Sequence, residues 1–545
     1  MKGFFNQILS INVSDQSYHV DPIDDSILEK YLGGKGLSTY LLLKYNPPGV
    51  DPLGPENRLI LATGPVSGTS IWGSCRYGIY TKSPQTGFYS ESYSGGTVAD
   101  YMARTGFDAV IIHGASENPV WLEIFEDGVR FHPAQGLWGS DTYKTEDTVK
   151  QLVAEKTPDH PRSGVMVIGP AGENGVAFSV VENDYWRSAG RTGTGAVMGS
   201  KRIKAIAFRG SRKKEVADEK VVSEFAKKLA KQGKDDAGVN AYKTMGTTGL
   251  VRIMNQTGGF PTRYWQKGTF ENWENISADA LHERCEVKPK ACLKCFIACG
   301  RLSTVKQGRH AGLKIEGPEY ETIYAFGGLC EVDGIEEIMY LNDICDRLGM
   351  DTISAGNLVA FAIEASRQGR IDLKIDYGHV DAIAGLLKDM AYRKGVGETL
   401  ARGIKAAAEE WGMEDQAIHV KGLEPAGYDP RVLKGMDTLI LCRFYRDLYQ
   451  WEELATIVEG ATGLKLSADD MRSIAASVTD NTRRFNIREG LQIEDDRLPK
   501  RFHSEALESG KIITQDDMEI MLKEYYRCRG WDEKGIPPEN PRHFF

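Results

Sequence analysis

Short apolar runs that end at glycine or proline dominate the first two hundred residues. They lie at residues 59–65, 108–114 and 165–170, and a further run covers residues 203–208. Runs of this length, bounded by chain-turning residues, are typical of buried β-strands. We therefore expect residues 1–210 to form a β-rich domain.

The pattern changes after Ser211, where the chain becomes rich in lysine and glutamate. Apolar residues recur at three- and four-residue spacing in residues 218–232, 335–348 and 380–411, which predicts amphipathic helices. A charged junction at 210–217 and a loop-like run at 423–431 divide this part into residues 211–420 and 421–545. The predicted fold class is α+β, with a β-rich base domain followed by two mainly α-helical domains.

Composition narrows the class of protein. At 545 residues the chain is too long for one hydrophobic core, and a net charge of −9 argues against nonspecific binding of nucleic acid. No stretch of about 18 apolar residues is present, so we expect no membrane span. The first residues lack the apolar stretch of a secretory signal, and we therefore expect a cytoplasmic protein.

Three of the nine cysteines crowd into one short run. Cys292, Cys295 and Cys299 form a C-x2-C-x3-C pattern, from which three thiolates can converge on one iron–sulfur cube. The order is the reverse of the radical SAM run, which disfavours that class. A structural zinc site and buried free cysteines are the alternatives, although no second short cysteine pair is present for zinc. Spacing does not choose the fourth ligand, and Cys442 is one of several candidates.

Glycine-rich segments supply a second candidate site. Residues 186–201 combine four glycines with two arginines, and such backbone approaches an anionic ligand closely while arginine holds its phosphate. Tight turns in a β-rich domain are the alternative explanation. The candidate cofactor-binding residues from these segments are Arg76, Gly95, Gly96, Arg187, Ser188 and Gly190.

Together these segments resemble the aldehyde:ferredoxin oxidoreductase family, nearly from end to end and in order. The resemblance is carried by YLGGKGL at 31–37, GP at 64–65, RY at 76–77, TKSP at 81–84, IGPAGEN at 168–174, residues 190–200, GPEYE at 317–321, CDRLGMDTIS at 345–354, YDPR at 428–431 and LPKRF at 498–502.

The resemblance implies a tungsten or molybdenum bis-pterin cofactor. The first domain would form the base for two pterins, the helical domains would close over them, and Mg²⁺ would bridge the pterin phosphates. The metal would be held by four dithiolene sulfurs, which fits the lack of an obvious protein ligand motif.

The resemblance also implies roles for individual residues. Asp346, Gly349 and Asp351 match a run that contacts one pterin, while Asp437 and Cys442 match the ends of a run that contacts the other. In the family the second run supplies the fourth cysteine of a [4Fe-4S] cluster. Arg76 and Arg187 match phosphate-contacting arginines, as the family places them.

A carboxylate of the GPEYE run lies near the metal in the family. Glu321 is the better match by spacing and Glu319 the next. With a raised pKa, either could accept a proton during oxidation of an aldehyde hydrate. Without the resemblance, the simpler explanation is that both glutamates are solvated or cap a helix.

The chain departs from the family after Met436. Relatives carry roughly sixty further residues there, including a substrate-facing histidine, and none of the ten histidines here matches it. Ile440 also replaces a glycine of the second pterin run. Either a segment is absent from the sequence as it stands, or the chain is a shortened paralogue with altered or absent catalysis. We favour the first, because the flanks match well and a deletion would open the substrate cavity.

A second departure concerns quaternary structure. Some relatives bind iron across a dimer axis through Glu-x-x-His, but Tyr340 and Asp343 occupy those positions here. We therefore predict no interface iron. A homo-oligomer and a hetero-complex both remain open.

The leading hypothesis is an enzyme that oxidises an aldehyde to a carboxylic acid. Electrons would pass through the [4Fe-4S] cluster to ferredoxin or to an iron–sulfur partner subunit. The alternatives are the catalytic subunit of a complex like tungsten-dependent benzoyl-CoA reductase, and an inactive paralogue. The sequence names neither the substrate nor the choice between tungsten and molybdenum.

Overall fold

The computed structural model describes residues 1–157, 162–427, 434–506, 510 and 512–539, and the side chains at 434 and 435 are not described. The predicted YDPR segment at 428–431 therefore lies outside the described residues. Among the described residues, no helix is both long and apolar enough to cross a bilayer.

Two six-stranded sheets form the first third of the chain. The first has the order β2-β1-β6-β3-β4-β5, and only β1 and β6 pair in parallel. Its strands are β1 (Gln7–Asn12), β2 (Ser17–Pro22), β3 (Leu59–Ala62), β4 (Tyr77–Lys82), β5 (Tyr89–Ser94) and β6 (Ala109–His113).

The second sheet has the order β11-β10-β9-β12-β7-β8, with β7 and β12 parallel. Its strands are β7 (Val120–Phe125), β8 (Gly128–Pro133), β9 (Gly164–Val167), β10 (Val181–Asn183), β11 (Arg187–Ala189) and β12 (Ile203–Phe208). Apolar side chains from both sheets share one buried cluster, which joins them into a single base.

Six helices flank these sheets. They are α1 (Asp25–Tyr31), α2 (Gly34–Tyr45), α3 (Val98–Ala103), α4 (Thr142–Lys156), α5 (Pro170–Glu173) and α6 (Thr194–Ser200). The four apolar runs predicted as strands coincide with β3, β6, β9 and β12, and each of these strands is almost entirely buried.

The rest of the chain is mainly helical. Its helices are α7 (Glu219–Lys234), α8 (Ala237–Met245), α9 (Leu250–Gln256), α10 (Ala278–Arg284), α11 (Tyr320–Thr322), α12 (Ile335–Leu348), α13 (Thr352–Arg367), α14 (Val380–Tyr392), α15 (Val396–Ala401), α16 (Ile404–Trp411), α17 (Lys434–Leu439), α18 (Trp451–Thr462), α19 (Ala468–Arg488), α20 (Arg501–Ser504) and α21 (Gln515–Arg529). A small antiparallel sheet joins β13 (Cys285–Lys290), β14 (Gly300–Val305) and β15 (Lys314–Glu316).

Packing of the helices does not follow chain order. Helices α12 to α16 belong to one large apolar cluster. Helix α7 instead packs on α18, in a cluster that also holds Cys299 and Cys442. The helices around the cysteines thus come from both sides of position 420. The predicted α+β class, with a β-rich first part and a helical remainder, is confirmed.

Candidate active site

A cavity of about 300 Å³ lies where the β-rich base meets the helical layers. It is lined from the base by Arg76, Gly95, Arg187 and Ser188, and from the helical side by Cys299, Glu319, Glu321, Asp346 and Asp351. No histidine is among the described residues that line it. More than half of the residues singled out from the sequence therefore border one cavity, with Cys299 the only cysteine among them.

The turn between α12 and α13 positions two of the carboxylates. Gly349 ends α12 with a left-handed φ of 75°, which glycine adopts without strain. A side chain there would also collide with the backbone, because an added Cβ would lie 2.8 Å from the Gly169 nitrogen. Asp351 then begins α13 by accepting a 2.9 Å hydrogen bond from the Ser354 backbone N–H. Asp346 and Asp351 are thereby held on one cavity wall, while Gly349 supplies the close packing behind them.

Buried carboxyl groups cluster next to this wall. Burial raises the pKa of Asp346 well above its usual range and that of Glu182 to about 8. The Ser188 hydroxyl donates to both carboxylate oxygens of Glu182, at 2.8 and 2.9 Å. Sequence reasoning missed Glu182, because a single glutamate in a strand gives no motif.

A second cavity of about 320 Å³ adjoins the first and shares Arg76 and Phe444 with it. Gly190 and Asp437 line this cavity. Arg443 donates two hydrogen bonds to the Asp437 carboxylate, at 2.7 and 3.0 Å. Each cavity therefore has an acidic wall, at Asp346 in the first and at Asp437 in the second. Arg76 borders both cavities and lies between these walls.

The position where Ile440 replaces the family's glycine has a left-handed backbone, with φ of 56°. This conformation costs a β-branched residue free energy, which explains the use of glycine there. Gly34 compensates, because a Cβ at Gly34 would collide with the Ile440 side chain and lie 2.8 Å from the Asp437 carbonyl oxygen. The buried Ile440 side chain fills the space that Gly34 leaves.

Arg76 lies between the two cavities and the cysteines. Arg76 is half-buried, and its buried Nε atom has no hydrogen-bond partner among the described residues. The neighbouring Cys442 sulfur is the largest influence that raises the pKa of this guanidinium. A cation with an unused buried donor is suited to an anionic group that reaches both cavities.

The structure brings the four predicted cysteines into one neighbourhood. Electrostatic coupling links Cys295 and Cys299 to both Cys292 and Cys442. Tyr445 donates to the Cys295 sulfur at 3.6 Å and accepts from the Phe296 N–H at 3.0 Å. Among the described residues, no three metal-binding side chains are arranged around a single point.

Backbone hydrogen bonds fix the distant fourth cysteine to this loop. The Cys442 N–H donates to the Gly73 carbonyl at 2.9 Å, and the Gly73 N–H donates to the Lys294 carbonyl at 3.0 Å. Gly73 therefore ties together two segments that lie far apart along the chain. Spacing alone did not identify Cys442, since this bridge is a property of the fold.

A fifth cysteine, Cys75, belongs to the same neighbourhood and was missed from the sequence. A hydrogen bond to Cys292, together with burial, raises the pKa of the Cys75 thiol well above its usual range. The same contact favours the Cys292 thiolate and lowers its pKa. The only sequence signal was the position of Cys75 directly before Arg76.

Gly95 and Gly96 play different parts. A Cβ on Gly95 would lie 2.7 Å from the Cys292 sulfur, so this glycine makes room for the cysteine. Gly96, with φ of 91°, packs against Asp184 and Asn183 instead. Gly96 is not among the residues that border either cavity.

Arg187 reaches the first cavity and forms an ion pair with the buried Glu316. Glu316 also lies 3.3 Å from the Lys290 Nζ. Together with Arg76, Arg187 gives this cavity two partly buried cations, which is the charge that a phosphate-bearing ligand needs.

The two predicted catalytic carboxylates differ in environment. Glu321 lies in the short helix α11, which continues as a π-helical turn, Ile323–Gly328. Burial raises its pKa to about 7, although the Gly427 N–H donates to it at 2.9 Å. Glu319 accepts a hydrogen bond from the Thr247 hydroxyl. Glu321 is therefore the group whose protonation changes near neutral pH.

Glu424 is a second buried carboxyl group with a pKa near neutral, and the sequence did not predict it. Burial raises its pKa to about 7, while Ser354 and Gln85 donate to it at 2.8 and 3.0 Å. Arg191 donates to the Glu424 backbone carbonyl and lies 3.7 Å from Asp351. Arg191 thus connects Glu424 to the wall of the first cavity.

Tyr340 and Asp343 occupy the two positions through which some relatives bind an interface iron, and both make other contacts here. Tyr340 stacks on His310 with ring centroids 4.5 Å apart. Asp343 pairs with Arg347 at 2.7 Å and accepts from the Tyr143 hydroxyl at 3.1 Å.

The donor set of the two cavities fits a pair of pterins with phosphate groups. Carboxylates such as Asp346 and Asp437 can accept from the amino and ring N–H groups of a pterin. Arg76, with its unused Nε donor, and Arg187 can hold phosphate oxygens.

Two domain models of one known family together match most of the chain. The N-terminal domain model of aldehyde ferredoxin oxidoreductase matches residues 8–210, and the model of its domains 2 and 3 matches residues 224–438 and 435–541. Tungsten-containing aldehyde ferredoxin oxidoreductase from Thermococcus kodakarensis is 33% identical and is matched over 99% of this chain and 98% of its own length.

Two further proteins share the chain's full length. The WOR-like subunit of aliphatic sulfonate oxidoreductase from Pyrococcus furiosus is 27% identical over 99% of this chain and 96% of its own length. The solved active-site complex of benzoyl coenzyme A reductase with 1,5-dienoyl-CoA superposes with a TM-score of 0.85 at 21% identity, covering 99% of this chain and 96% of its own. The latter likeness concerns the fold alone.

The alignment to the Thermococcus enzyme runs over 606 positions, whereas this chain has 545 residues. The two matched stretches of the C-terminal model overlap at residues 435–438, the place of the predicted gap. Matches of this extent identify the chain as an oxidoreductase of the tungsten-containing aldehyde ferredoxin oxidoreductase family.

Proposed function

We propose that the chain is a tungsten-bispterin oxidoreductase that oxidises aldehydes to carboxylic acids. The balanced half-reaction converts an aldehyde and one water into a carboxylate, three protons and two electrons. The bound metal–pterin group would supply the two-electron chemistry. The observation that carries the proposal is the meeting of two acidic walls, Arg76 and the cysteine group around adjoining cavities.

Each wall has a distinct task in this proposal. Asp346 and Asp351 bind one pterin and Asp437 binds the other, while Arg76 and Arg187 hold phosphate together with Mg²⁺. Gly95 and Gly190 leave space for the cofactor, and Ser188 steadies the wall through Glu182. The arrangement is supported by the chemistry of the donors and by the family match.

Glu321 is the proposed proton acceptor. Its pKa of about 7 allows a large part of it to be ionised at neutral pH and still to hold a proton after transfer. Glu319, bonded to Thr247, is the proposed secondary group that orients water in the cavity.

The proposed exit for electrons is a [4Fe-4S] cluster on Cys292, Cys295, Cys299 and Cys442. The Gly73 bridge keeps Cys442 against the cluster loop. Since Asp437 and Cys442 lie in one short segment, the second pterin and the cluster would be neighbours. Ferredoxin or an iron–sulfur partner subunit would take the electrons one at a time.

Aldehydes are preferred to the alternative substrate classes because the tungsten-containing aldehyde enzymes share the most sequence with the chain among the relatives compared above. No histidine is among the described residues that line the first cavity. Glu321 lines the cavity and has a pKa of about 7, which is the reason for giving it the task of proton transfer.

Elemental analysis of anaerobically purified protein is the first test. About one tungsten or molybdenum for each four irons per chain is expected. Aldehyde-dependent reduction of benzyl viologen should accompany it. Four irons with neither heavy metal would refute the bispterin assignment, and would identify the gap as a deletion that abolished cofactor binding. Metal in full amount without aldehyde oxidation would turn the search to other substrates.

A further inference from the structure

One tyrosine joins the two distant segments that hold the proposed cluster ligands. Tyr445 is fully buried and ends a single 3₁₀ turn, Arg443–Tyr445, directly after Cys442. Its backbone N–H donates to the Cys442 carbonyl at 3.0 Å. Its hydroxyl reaches the other segment and donates to the Cys295 sulfur at 3.6 Å. Tyr445 therefore contacts one proposed ligand through its backbone and a second through its side chain.

The hydroxyl proton of Tyr445 has a defined direction. The Phe296 N–H donates to the Tyr445 oxygen at 3.0 Å and so occupies one lone pair of that oxygen. A phenol has a single proton, and its ordinary pKa of about 10 keeps that proton in place at neutral pH. Because the backbone N–H uses the acceptor side of the hydroxyl, the proton is directed to the Cys295 sulfur.

Packing holds the Tyr445 ring in this place. Gly73 makes room for it, because a Cβ at Gly73 would lie 2.9 Å from the ring carbon Cδ2. The Phe296 ring meets it edge-on with centroids 5.0 Å apart, and the Tyr449 ring lies 5.8 Å away. Since the ring is buried among other aromatic side chains, the O–H···S contact lies in a setting of low dielectric constant. A hydrogen bond is electrostatically stronger there than in water.

A hydrogen bond to a ligand sulfur changes the energy of cluster reduction. Reduction adds one negative charge to a cluster and its thiolate ligands. A donor that points at one of these sulfurs stabilises the extra charge, so the reduced state is favoured and the reduction potential rises. The Tyr445 proton stays on its oxygen while one electron enters, and no bond forms or breaks. The geometry therefore fixes the direction of the effect.

We propose that Tyr445 is a positioning residue for electron transfer, whose hydroxyl raises the reduction potential of the cluster through Cys295. The inference rests on the proposed function, since it needs a [4Fe-4S] cluster on the four cysteines. A higher potential makes the cluster a better acceptor of the electrons that aldehyde oxidation releases. One buried side chain thus adjusts the energy of the electron exit, while its backbone holds the turn that presents Cys442.

Redox titration of the anaerobic holoprotein with dithionite and soluble mediators, followed by low-temperature EPR, tests this role. Tyr445→Phe removes the hydroxyl and keeps the ring. It should lower the equilibrium constant for cluster reduction about tenfold, which is about 59 mV for a one-electron couple. Tyr449→Phe is the matched control, because the hydroxyl of this buried tyrosine donates to the Trp72 carbonyl instead of a cysteine. The control should keep the wild-type potential.

A second variant strengthens the donor instead of removing it. In Tyr445→3-fluorotyrosine the ring fluorine withdraws electrons from the oxygen, which makes the O–H a stronger donor of nearly the same shape. The potential of this variant should rise above that of the wild type. It decides the test if Tyr445→Phe loses iron, since both hydrogen bonds of the hydroxyl are kept. Shifts of opposite sign in the two variants are the expected result, and a purely structural role would not produce them.

Two results would overturn the inference: a wild-type potential in a Tyr445→Phe variant that retains four irons, or no rise in potential in the fluorinated variant. Failure of the proposed function is a separate result. A holoprotein whose potential shifts as expected but which oxidises no aldehyde refutes the substrate assignment and retains the role of Tyr445. A wild-type protein purified anaerobically without iron refutes the cluster and this role together.

Discussion

At the scale of single residues, the site depends on buried groups whose protonation is set by their surroundings. Glu321 and Glu424 each reach a pKa of about 7 because burial disfavours the carboxylate. Of the two, only Glu321 borders the first cavity. The two glutamates therefore have similar pKa values, but only Glu321 is placed to act on a ligand in the first cavity.

Glu321→Gln should remove the proton acceptor without changing the shape of the cavity. For the wild type we expect kcat to rise with pH through about 7, as the carboxylate forms. The variant should lose roughly 10²-fold in kcat and should no longer show this rise. Glu424→Gln is the control and should keep the pH profile. A wild-type pH profile in the Glu321→Gln variant would remove Glu321 from the reaction.

The five neighbouring cysteines should fall into two groups. Cys292→Ala should lower the iron content, because it removes one of four proposed ligands. Cys75→Ala should retain four irons per chain, since it removes only the thiol that bonds to Cys292. Iron analysis with low-temperature EPR of the reduced protein would distinguish them. Loss of iron in Cys75→Ala, with Cys292→Ala still loaded, would exchange their roles.

At the scale of elements, the important features are junctions. The turn at Gly349 and Asp351 follows familiar helix-ending and helix-starting rules, and the helix predicted at residues 335–348 coincides with α12. The junction of Gly34 and Ile440 could not be predicted, because it joins α2 to a segment much later in the chain. The replacement of the family's glycine by Ile440 is explained only by the structure, which shows Gly34 packed against it.

Gly34→Ala tests this junction. The new Cβ would meet Ile440 and the Asp437 carbonyl, in addition to the cost of a left-handed backbone at φ of 45°. Gly49→Ala is the matched control, since Gly49 has φ of 70° and open space around it. We expect a loss of about 1 kcal/mol for the control and roughly 2–4 kcal/mol for Gly34→Ala. Equal losses in chemical denaturation would show that the contact with Ile440 is immaterial.

At the scale of the whole molecule, the chain concentrates buried charge at the meeting of base and helices. Glu182, with a pKa of about 8, is an example. Its folded pKa is above the unfolded value, so the folded state binds the extra proton. Stability from this group is therefore lost as pH rises from about 4.5 to about 8.

Glu182→Gln should abolish this part of the pH dependence. Relative to the wild type, the cofactor-free variant should gain stability on the order of 2 kcal/mol at pH 8.5 and almost none at pH 4.5. Thermal melts across this range would measure it. Glu117→Gln, an exposed glutamate on the same domain, is the control and should melt like the wild type at every pH. Parallel melting curves for Glu182→Gln and the wild type would contradict the burial argument.

How far the sequence predicted this molecule depends on the range of each interaction. Strands β3, β6, β9 and β12 followed from local apolar runs, and the α+β class followed from them. The cysteine pattern located three of the four proposed cluster ligands. Cys75, Glu182 and Glu424 were missed, because each acts through a partner that only the fold brings near. The boundaries at 210 and 420 remain predictions.

The bridge through Gly73 has a consequence for how the protein is made. Its carbonyl accepts from Cys442 and its N–H donates to Lys294, so three segments must be present together. Domains fold in order as a chain leaves the ribosome. A nascent chain that ends before residue 442 offers at most three of the four proposed ligands. If the proposed ligands hold the cluster, its complete loading would follow synthesis of most of the chain, and a maturation factor would meet an almost finished protein.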